Sequence, residues 1–169
     1  GRDHGLPGLE LSAGSLGQGL SVAVGMALVA KMDKANWNVY SIHGDGELQE
    51  GSIWEAAMSA AHHKLGNLIA LVDRNGVQIE GSTSEVMEIE PLTDKWQAFG
   101  WEVFECDGHD FHDIIQTFAK AKENKNKPSV VIAHTIMGKG IPEIEGDYRW
   151  HGRAPSAEEA EQFIKILES

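Results

Sequence analysis

The chain has 169 residues, 41% of them hydrophobic and 24% charged, with 14 Lys plus Arg against 26 Asp plus Glu and a formal net charge of −12. That length corresponds to one domain, and the composition is that of a folded globular protein, which excludes disordered and collagen-like chains. The acidic balance argues against nucleic acid or an anionic membrane as partner, because both require clustered Lys and Arg. Any anionic ligand would need another source of positive charge.

The only cysteine, Cys106, cannot close an internal disulfide, and its place in the apolar run Trp101 to Cys106 predicts a small buried side chain. A reducing cytoplasm fits that usage. No window approaches eighteen consecutive apolar residues, and Gly1 to His4 lack the regions of a signal peptide. The chain starts without Met and in mid-loop at Gly5-Leu6-Pro7-Gly8, so it reads as a single domain over 1–169 truncated at its N-terminus.

From Ser15 to Lys34, Leu16, Leu20, Ala23, Ala27 and Ala30 recur at helical spacing, with Met26 and Val29 widening the stripe, which predicts a tightly packed helix. Val39 to Ile42 is a short β-prone run that stops at Gly44-Asp45-Gly46. Leu48 to Lys64, with Ile53, Ala57, Ala60 and Ala61 on one side, predicts a second helix. Leu68-Ile69-Ala70-Leu71-Val72 has the continuous apolar character of a strand covered on both faces. The alternation then repeats: a short helix at Leu92 to Phe99 after Pro91, a strand at Trp101 to Cys106, a helix marked by Phe111, Ile114, Ile115 and Phe118, and a strand at Ser129 to His134. An irregular stretch from Thr135 to Pro155 precedes a last helix, opened by a Ser156/Glu159 capping box and striped by Ala160, Phe163, Ile164 and Leu167. Strand and helix alternate throughout, which predicts an α/β fold with a mostly parallel sheet.

In such a sheet, ligands bind beyond the carboxyl ends of the strands. Two polar loops lie there: Gly44-Asp45-Gly46, and Asp73-Arg74-Asn75-Gly76. The first looks like the start of a dinucleotide loop, with Gly44 and Gly46 permitting close backbone approach to a diphosphate. However, Gln49 stands where a third glycine is needed, and Asp45 would set a carboxylate against that diphosphate. Two anions in contact are costly unless a divalent cation separates them. Asp45, the side-chain carbonyl of Asn75 and a backbone carbonyl just beyond it could supply hard oxygen ligands to Mg²⁺, with the diphosphate and water filling the rest. The 30 residues from 45 to 75 equal one helix plus one strand, so adjacent parallel strands would bring both loops to one edge. The plainer alternatives are that Asp45 caps the following helix and that Asn75-Gly76 is a turn with positive φ. Gly138-Lys139-Gly140 is not a Walker A loop, since no Ser or Thr follows the lysine and position 133 is Ala.

Gly44-Asp45-Gly46 followed by Asn75 resembles the motif of thiamine-diphosphate enzymes. The neighbouring segments narrow the likeness to the N-terminal part of transketolase: Gly14 to Ser21, Gly44 to Gly51, Lys64 to Ile69, Phe99-Gly100-Trp101, Asp107-Gly108-His109 and His151 to Pro155 are similar to its segments in order. The likeness covers essentially the whole chain, and its ending resembles the bacterial and archaeal form split into two polypeptides. The resemblance implies a three-layer fold, helices on both faces of the sheet, of the diphosphate-binding type.

It further implies that Asp45, Asn75 and the carbonyl of Val77 bind the metal, Mg²⁺ with Ca²⁺ or Mn²⁺ as substitutes, and that Gly44 and Gly46 meet the diphosphate. Gly14 and Leu16 correspond to positions that contact the aminopyrimidine and thiazolium region; their bland reading is a closely packed glycine-rich helix start. Glu50 resembles the acid of a carboxylate network at the subunit interface, or is a solvated first-turn glutamate. His151 resembles the histidine that reaches diphosphate and substrate, or is surface decoration. For His62 and His63 the structural or solvated reading is favoured, and for His109 and His112 a cap or turn. The implied activity is two-carbon ketol transfer between sugar phosphates. It would need a pyrimidine-binding C-terminal subunit, which carries the activating glutamate, and self-association. Competing readings are a deoxyxylulose-phosphate synthase piece, a 2-oxoacid dehydrogenase α-like subunit or a noncatalytic module that binds cofactor or partner.

Overall fold

The computed structural model describes residues 7–168; the N-terminal stretch through Leu6, on which the signal-peptide and part of the mid-loop expectations rest, lies outside the described residues. In chain order the elements are α1 (Gln18–Met32), β1 (Val39–Gly44), α2 (Gly51–His62), β2 (Leu68–Arg74), β3 (Val77–Gln78), β4 (Gly81–Ser82), α3 (Thr83–Val86), α4 (Leu92–Ala98), β5 (Glu102–Asp107), α5 (Phe111–Glu123), β6 (Ser129–His134) and α6 (Ala157–Leu167), with short 3₁₀ turns at Gly46–Gln49 and Tyr148–Trp150. The four longer strands form one sheet in the order β1-β2-β6-β5. All its pairings are parallel.

Alternate side chains of the same strand serve opposite layers, because successive Cβ atoms point to opposite faces. Leu68, Ala70 and Val72 of β2, with Val130 and Ile132 of β6, join a core closed by Leu20, Ala23, Val24 and Ala27 of α1, Ile53, Ala56, Ala57 and Ala60 of α2, and Leu92 and Trp96 of α4. Ile69, Val131, Ala133 and Cys106 face the other way, toward Ala121, Ile114 and Phe118 of α5. The three-layer reading therefore holds, and Cys106 is buried as a small apolar side chain. Continuous apolar runs made β2 and β6 legible, since both of their faces are covered.

The smallness of the α1 stripe lets α1 and α2 approach closely over the sheet. Trp96 packs between Trp54 and Trp101, with ring centroids 5.2 and 4.8 Å away. The Trp101 indole N–H donates to the Ala57 carbonyl at 3.0 Å, so the α2 backbone is tied to the start of β5.

The expected second helix is divided: the chain first makes a 3₁₀ turn over Gly46–Gln49, and α2 begins only at Gly51 because Glu50 is extended, with φ −73° and ψ 128°. Gly17, which opens α1, has φ +79°. A Cβ there would stand 2.8 Å from Glu50 Cβ and would collide with Ser52 Oγ. Gly17→Ala therefore combines left-handed backbone strain with overpacking and should lower unfolding free energy by about 1–3 kcal/mol. Urea denaturation checks this; an unchanged midpoint would mean that α1 and α2 do not meet so tightly at this point.

Candidate functional site

The strand register brings the two polar loops to one edge. Gly44 of β1 pairs with Asp73 of β2. Arg74 pairs with His134 of β6, which in turn pairs with Asp107 of β5. The chain leaving β1 and the chain leaving β2 thus emerge side by side, and the Asp45 N–H donates to the Asp73 carbonyl at 3.2 Å.

The Asp45 side chain points into this junction and is only 1% exposed. Oδ1 accepts from the Gly46 N–H at 2.8 Å, and Oδ2 from the Gly76 N–H at 2.6 Å. Arg74 Nη1 stands 3.2 Å from Oδ2, while Arg74 Nε donates to Glu90 Oε1 at 2.8 Å. Burial pushes the Asp45 carboxyl above its ordinary value, and the two amides and Arg74 pull against that shift without cancelling it. Both plain readings of the sequence hold geometrically: Asp45 caps the 3₁₀ turn, and Gly76 has φ +78°. Neither competes with ligand binding, since each carboxylate oxygen keeps lone-pair capacity beyond one backbone donor.

Asn75 is held so that its oxygen is ordered. Oδ1 accepts from the Val77 N–H at 3.0 Å and Nδ2 donates to Asp73 Oδ2 at 3.3 Å. Asp73 in turn accepts from the Thr135 hydroxyl, and the Thr135 N–H donates to the Arg74 carbonyl at 3.1 Å. The β3–β4 hairpin carries Gln78 beneath the first loop, where Gln49 Nε2 donates to its Oε1 at 2.6 Å. Beside Gly44 no atom lies within 4 Å of where a Cβ would stand, so its backbone faces open space.

Glu47 organises the same loop from the other side. Its Oε1 accepts from the Gly17 N–H at 2.9 Å and its Oε2 from the Gly44 N–H at 3.2 Å, which ties the start of α1 to the end of β1. His43, 2% exposed, places Nδ1 3.3 Å from Glu47 Oε1 but out of line for a hydrogen bond, and neither ring nitrogen has a hydrogen-bond partner. Burial pushes the Glu47 carboxyl up, yet the His43 ring and the two amides outweigh it and the net shift is downward.

The remaining expected residues are more dispersed. Gly14 lies in an exposed bend with open space at its Cβ position. Leu16, 58% exposed, lines a cavity of about 400 Å³ shared with Ser41, His43 and Glu47. Glu50 is exposed at the entry to α2 and makes no side-chain cap. His151 is exposed, its backbone N–H donating to the Tyr148 carbonyl at 2.9 Å and its ring making no hydrogen bond or ion pair among the described residues. The structure thus joins Asp45, Asn75, Gly44, Gly46 and Val77, and leaves His151 and Glu50 apart from them. Sequence reasoning overlooked Arg74 and Glu47, although both sit inside the motifs it used. A cation flanking a loop expected to hold a cation was the available signal for Arg74. His109 is a loop tie, as expected: its Nε2 accepts from the Ile136 N–H at 2.8 Å.

This loop pair is matched by known proteins. The family model described as transketolase, thiamine diphosphate binding domain, matches residues 3–167. The chain belongs to the transketolase family. It is 49% identical over 160 residues to one subunit of the split apulose-4-phosphate transketolase of Phocaeicola vulgatus, covering 95% of this chain and 57% of that protein. It is 45% identical over 161 residues to the 6-deoxy-6-sulfo-D-fructose transketolase subunit SqwG of a Clostridium species, covering 95% and 58% respectively. The chain thus spans a little over half the length of these relatives. Among solved structures, the transketolase of Campylobacter jejuni superposes with a TM-score of 0.89 at 34% identity, covering 95% of this chain and 26% of that one. The Leishmania mexicana transketolase superposes with 0.84 at 32% identity, covering 95% of this chain and 26% of that one.

The raised carboxyl of Asp45 has a consequence for the ligand-free protein. Because its folded value lies above the ordinary 3.8, this group's contribution to stability is fully present below that pH and is lost as pH rises through the folded value. Asp45→Asn cannot titrate, so its stability relative to the parent should rise with pH across that acidic window. Urea denaturation at several pH values measures it, and a difference that is flat or narrows with pH contradicts the assignment.

Proposed function

We propose that this chain is the diphosphate-binding half of a transketolase, holding thiamine diphosphate through a divalent cation and transferring two-carbon ketol units between sugar phosphates. The observation that supports this reading most strongly is the buried Asp45 carboxylate, fixed by the Gly46 and Gly76 amides at the strand edge beside Asn75. The donor set suits a hard cation: a carboxylate, an amide oxygen and the Val77 carbonyl, without sulfur. Among the described residues no group of three His, Cys, Asp or Glu side chains gathers to hold a metal. The protein's share of such a coordination shell is therefore incomplete by itself, which suits Mg²⁺, Mn²⁺ or Ca²⁺ shared with a diphosphate.

In this reading Asp45, Asn75 and Val77 ligate the metal, and Gly44 and Gly46 present backbone to the diphosphate. Gly14 and Leu16 border the ring portion of the cofactor, and Glu50 takes part in a carboxylate network at a subunit interface. His151 reaches diphosphate and substrate as a proton donor or acceptor. Bound thiamine diphosphate supplies the thiazolium carbon that accepts the ketol fragment. The complementary partner is a pyrimidine-binding polypeptide, with paired copies of each in a cytoplasmic assembly. The relatives named for apulose 4-phosphate and 6-deoxy-6-sulfo-D-fructose make ketoses and their phosphates or sulfonates the substrate class to assay first.

Two measurements test the reading. By calorimetry, thiamine diphosphate should bind only with divalent cation present, and Asp45→Ala should weaken that binding by at least about 10²-fold, the loss expected when a charged ligand is removed from a buried site. Undiminished affinity in chelator, or in Asp45→Ala, refutes the metal bridge. In the enzyme assembled with its complementary subunit, His151→Ala should lower kcat by up to about 10²-fold, the scale of acid and base effects, with thermal stability unchanged. Equal turnover, or a collapse in stability, contradicts the role given to His151; no ketol transfer at all in the parent assembly favours a noncatalytic module.

A further inference from the structure

The Arg74 side chain, 20% exposed, spans the space between a buried carboxylate and a half-exposed one. Nη1 stands 3.2 Å from Asp45 Oδ2 and Nε donates to Glu90 Oε1 at 2.8 Å. Its Nη1 also lies 3.2 Å from where a Cβ of Gly76 would stand, so a larger residue at that turn would crowd the guanidinium. Glu90 is itself fixed, because its Oε2 accepts from the Leu92 N–H at 2.7 Å. Burial raises the Glu90 carboxyl, but the Leu92 amide and Arg74 more than offset this, and it stays ionised well below neutral pH.

Arg74 therefore already neutralises Asp45. A divalent cation ligated by Asp45 would sit about 2.1 Å from a carboxylate oxygen. The same carboxylate carries a guanidinium nitrogen at 3.2 Å, and two positive groups so close repel strongly wherever water is sparse. The cation can bind well only if Arg74 gives up Asp45. That withdrawal is unfavourable while Glu90 is the only other anion within its reach in the structure. An arriving diphosphate changes the balance by bringing negative charge both to the metal and to the released guanidinium.

Resting on the proposed metal and diphosphate site, we propose that Arg74 is an internal counter-cation that makes divalent-metal binding conditional on diphosphate. In the ligand-free protein Arg74 occupies Asp45 and suppresses metal uptake; with diphosphate present it is freed from Asp45, and metal and diphosphate bind as a unit. Thermodynamically this is a positive coupling between two ligands. Such couplings lie on the order of 5- to 150-fold. The bridge to Glu90 limits how tightly Arg74 holds Asp45, so Glu90 sets the strength of the device.

Mn²⁺ binding, read from the amplitude of the free-ion electron paramagnetic resonance signal, tests this without any turnover. The purified protein is titrated with and without thiamine diphosphate, as parent, Arg74→Met and Glu90→Gln. The parent should bind Mn²⁺ weakly alone and at least about tenfold more tightly with thiamine diphosphate. Arg74→Met should bind Mn²⁺ alone at least about tenfold more tightly than the parent and lose most of the enhancement by cofactor. Glu90→Gln should weaken Mn²⁺ binding in the parent but change it much less in the Arg74→Met background, which separates the action through Arg74 from the loss of a nearby negative charge. Circular dichroism verifies that each variant is folded; should Arg74→Met fail to fold, Arg74→Gln takes its place. Equal Mn²⁺ affinity and equal enhancement in parent and Arg74 variant overturn the role of Arg74 and leave the site itself standing. No Mn²⁺ binding in any variant, even with thiamine diphosphate, overturns the metal and diphosphate reading instead.

Discussion

A carboxylate almost without solvent contact is an uncomfortable object at the end of a parallel sheet, and much of the structure around Asp45 exists to keep it there. Its two oxygens are met by the Gly46 and Gly76 amides, and those amides belong to loops that leave adjacent strands. Burial still raises the carboxyl above its ordinary value. A group so placed lowers the stability of the empty protein, a pattern common where folding and ligand binding compete for the same atoms. The strained position is maintained by the core: β1 and β2 lie in register through Gly44 and Asp73 because their side chains interlock with α1, α2 and α4.

Around that carboxylate the loops are cross-tied rather than loose. Glu47 binds the amides of Gly17 and Gly44, so the start of α1 and the end of β1 move as one piece. Asp73 and Thr135 link the ends of β2 and β6, and Asn75 is oriented by the Val77 amide. Preorganisation of this kind reduces the ordering cost when a ligand arrives. The same rigidity does not extend to His151, whose ring stands exposed. If His151 acts on substrate, it acts from a surface that a partner must complete.

The parallel sheet was legible because a strand covered on both faces must be apolar along its length, as in Leu68 to Val72. The loops were legible because Gly44-Asp45-Gly46 and Asn75 are chemically odd for a simple turn pair. Other features left no periodic trace. The β3–β4 hairpin has strands of two residues each, too short for alternation to register. The break between the 3₁₀ turn and α2 depends on the extended backbone of Glu50, which an Ala-rich helical stripe conceals. Arg74 escaped because sequence position does not say which way a long side chain turns: it sits in the motif, and only the fold shows it reaching to Asp45. Gly17 looked like one of several glycines near a helix start, and only the packing of α1 on Glu50 and Ser52 explains why a side chain cannot stand there.

Anomalous diffraction from crystals grown with Mn²⁺ and thiamine diphosphate bears most directly on the claim that Asp45 is kept buried in order to hold a cation against a diphosphate. A single Mn²⁺ peak is expected about 2.1–2.3 Å from an Asp45 oxygen, with Asn75 Oδ1, the Val77 carbonyl and diphosphate oxygens completing the shell. A cofactor bound with no Mn²⁺ at Asp45, or Mn²⁺ held elsewhere on the molecule, would contradict it.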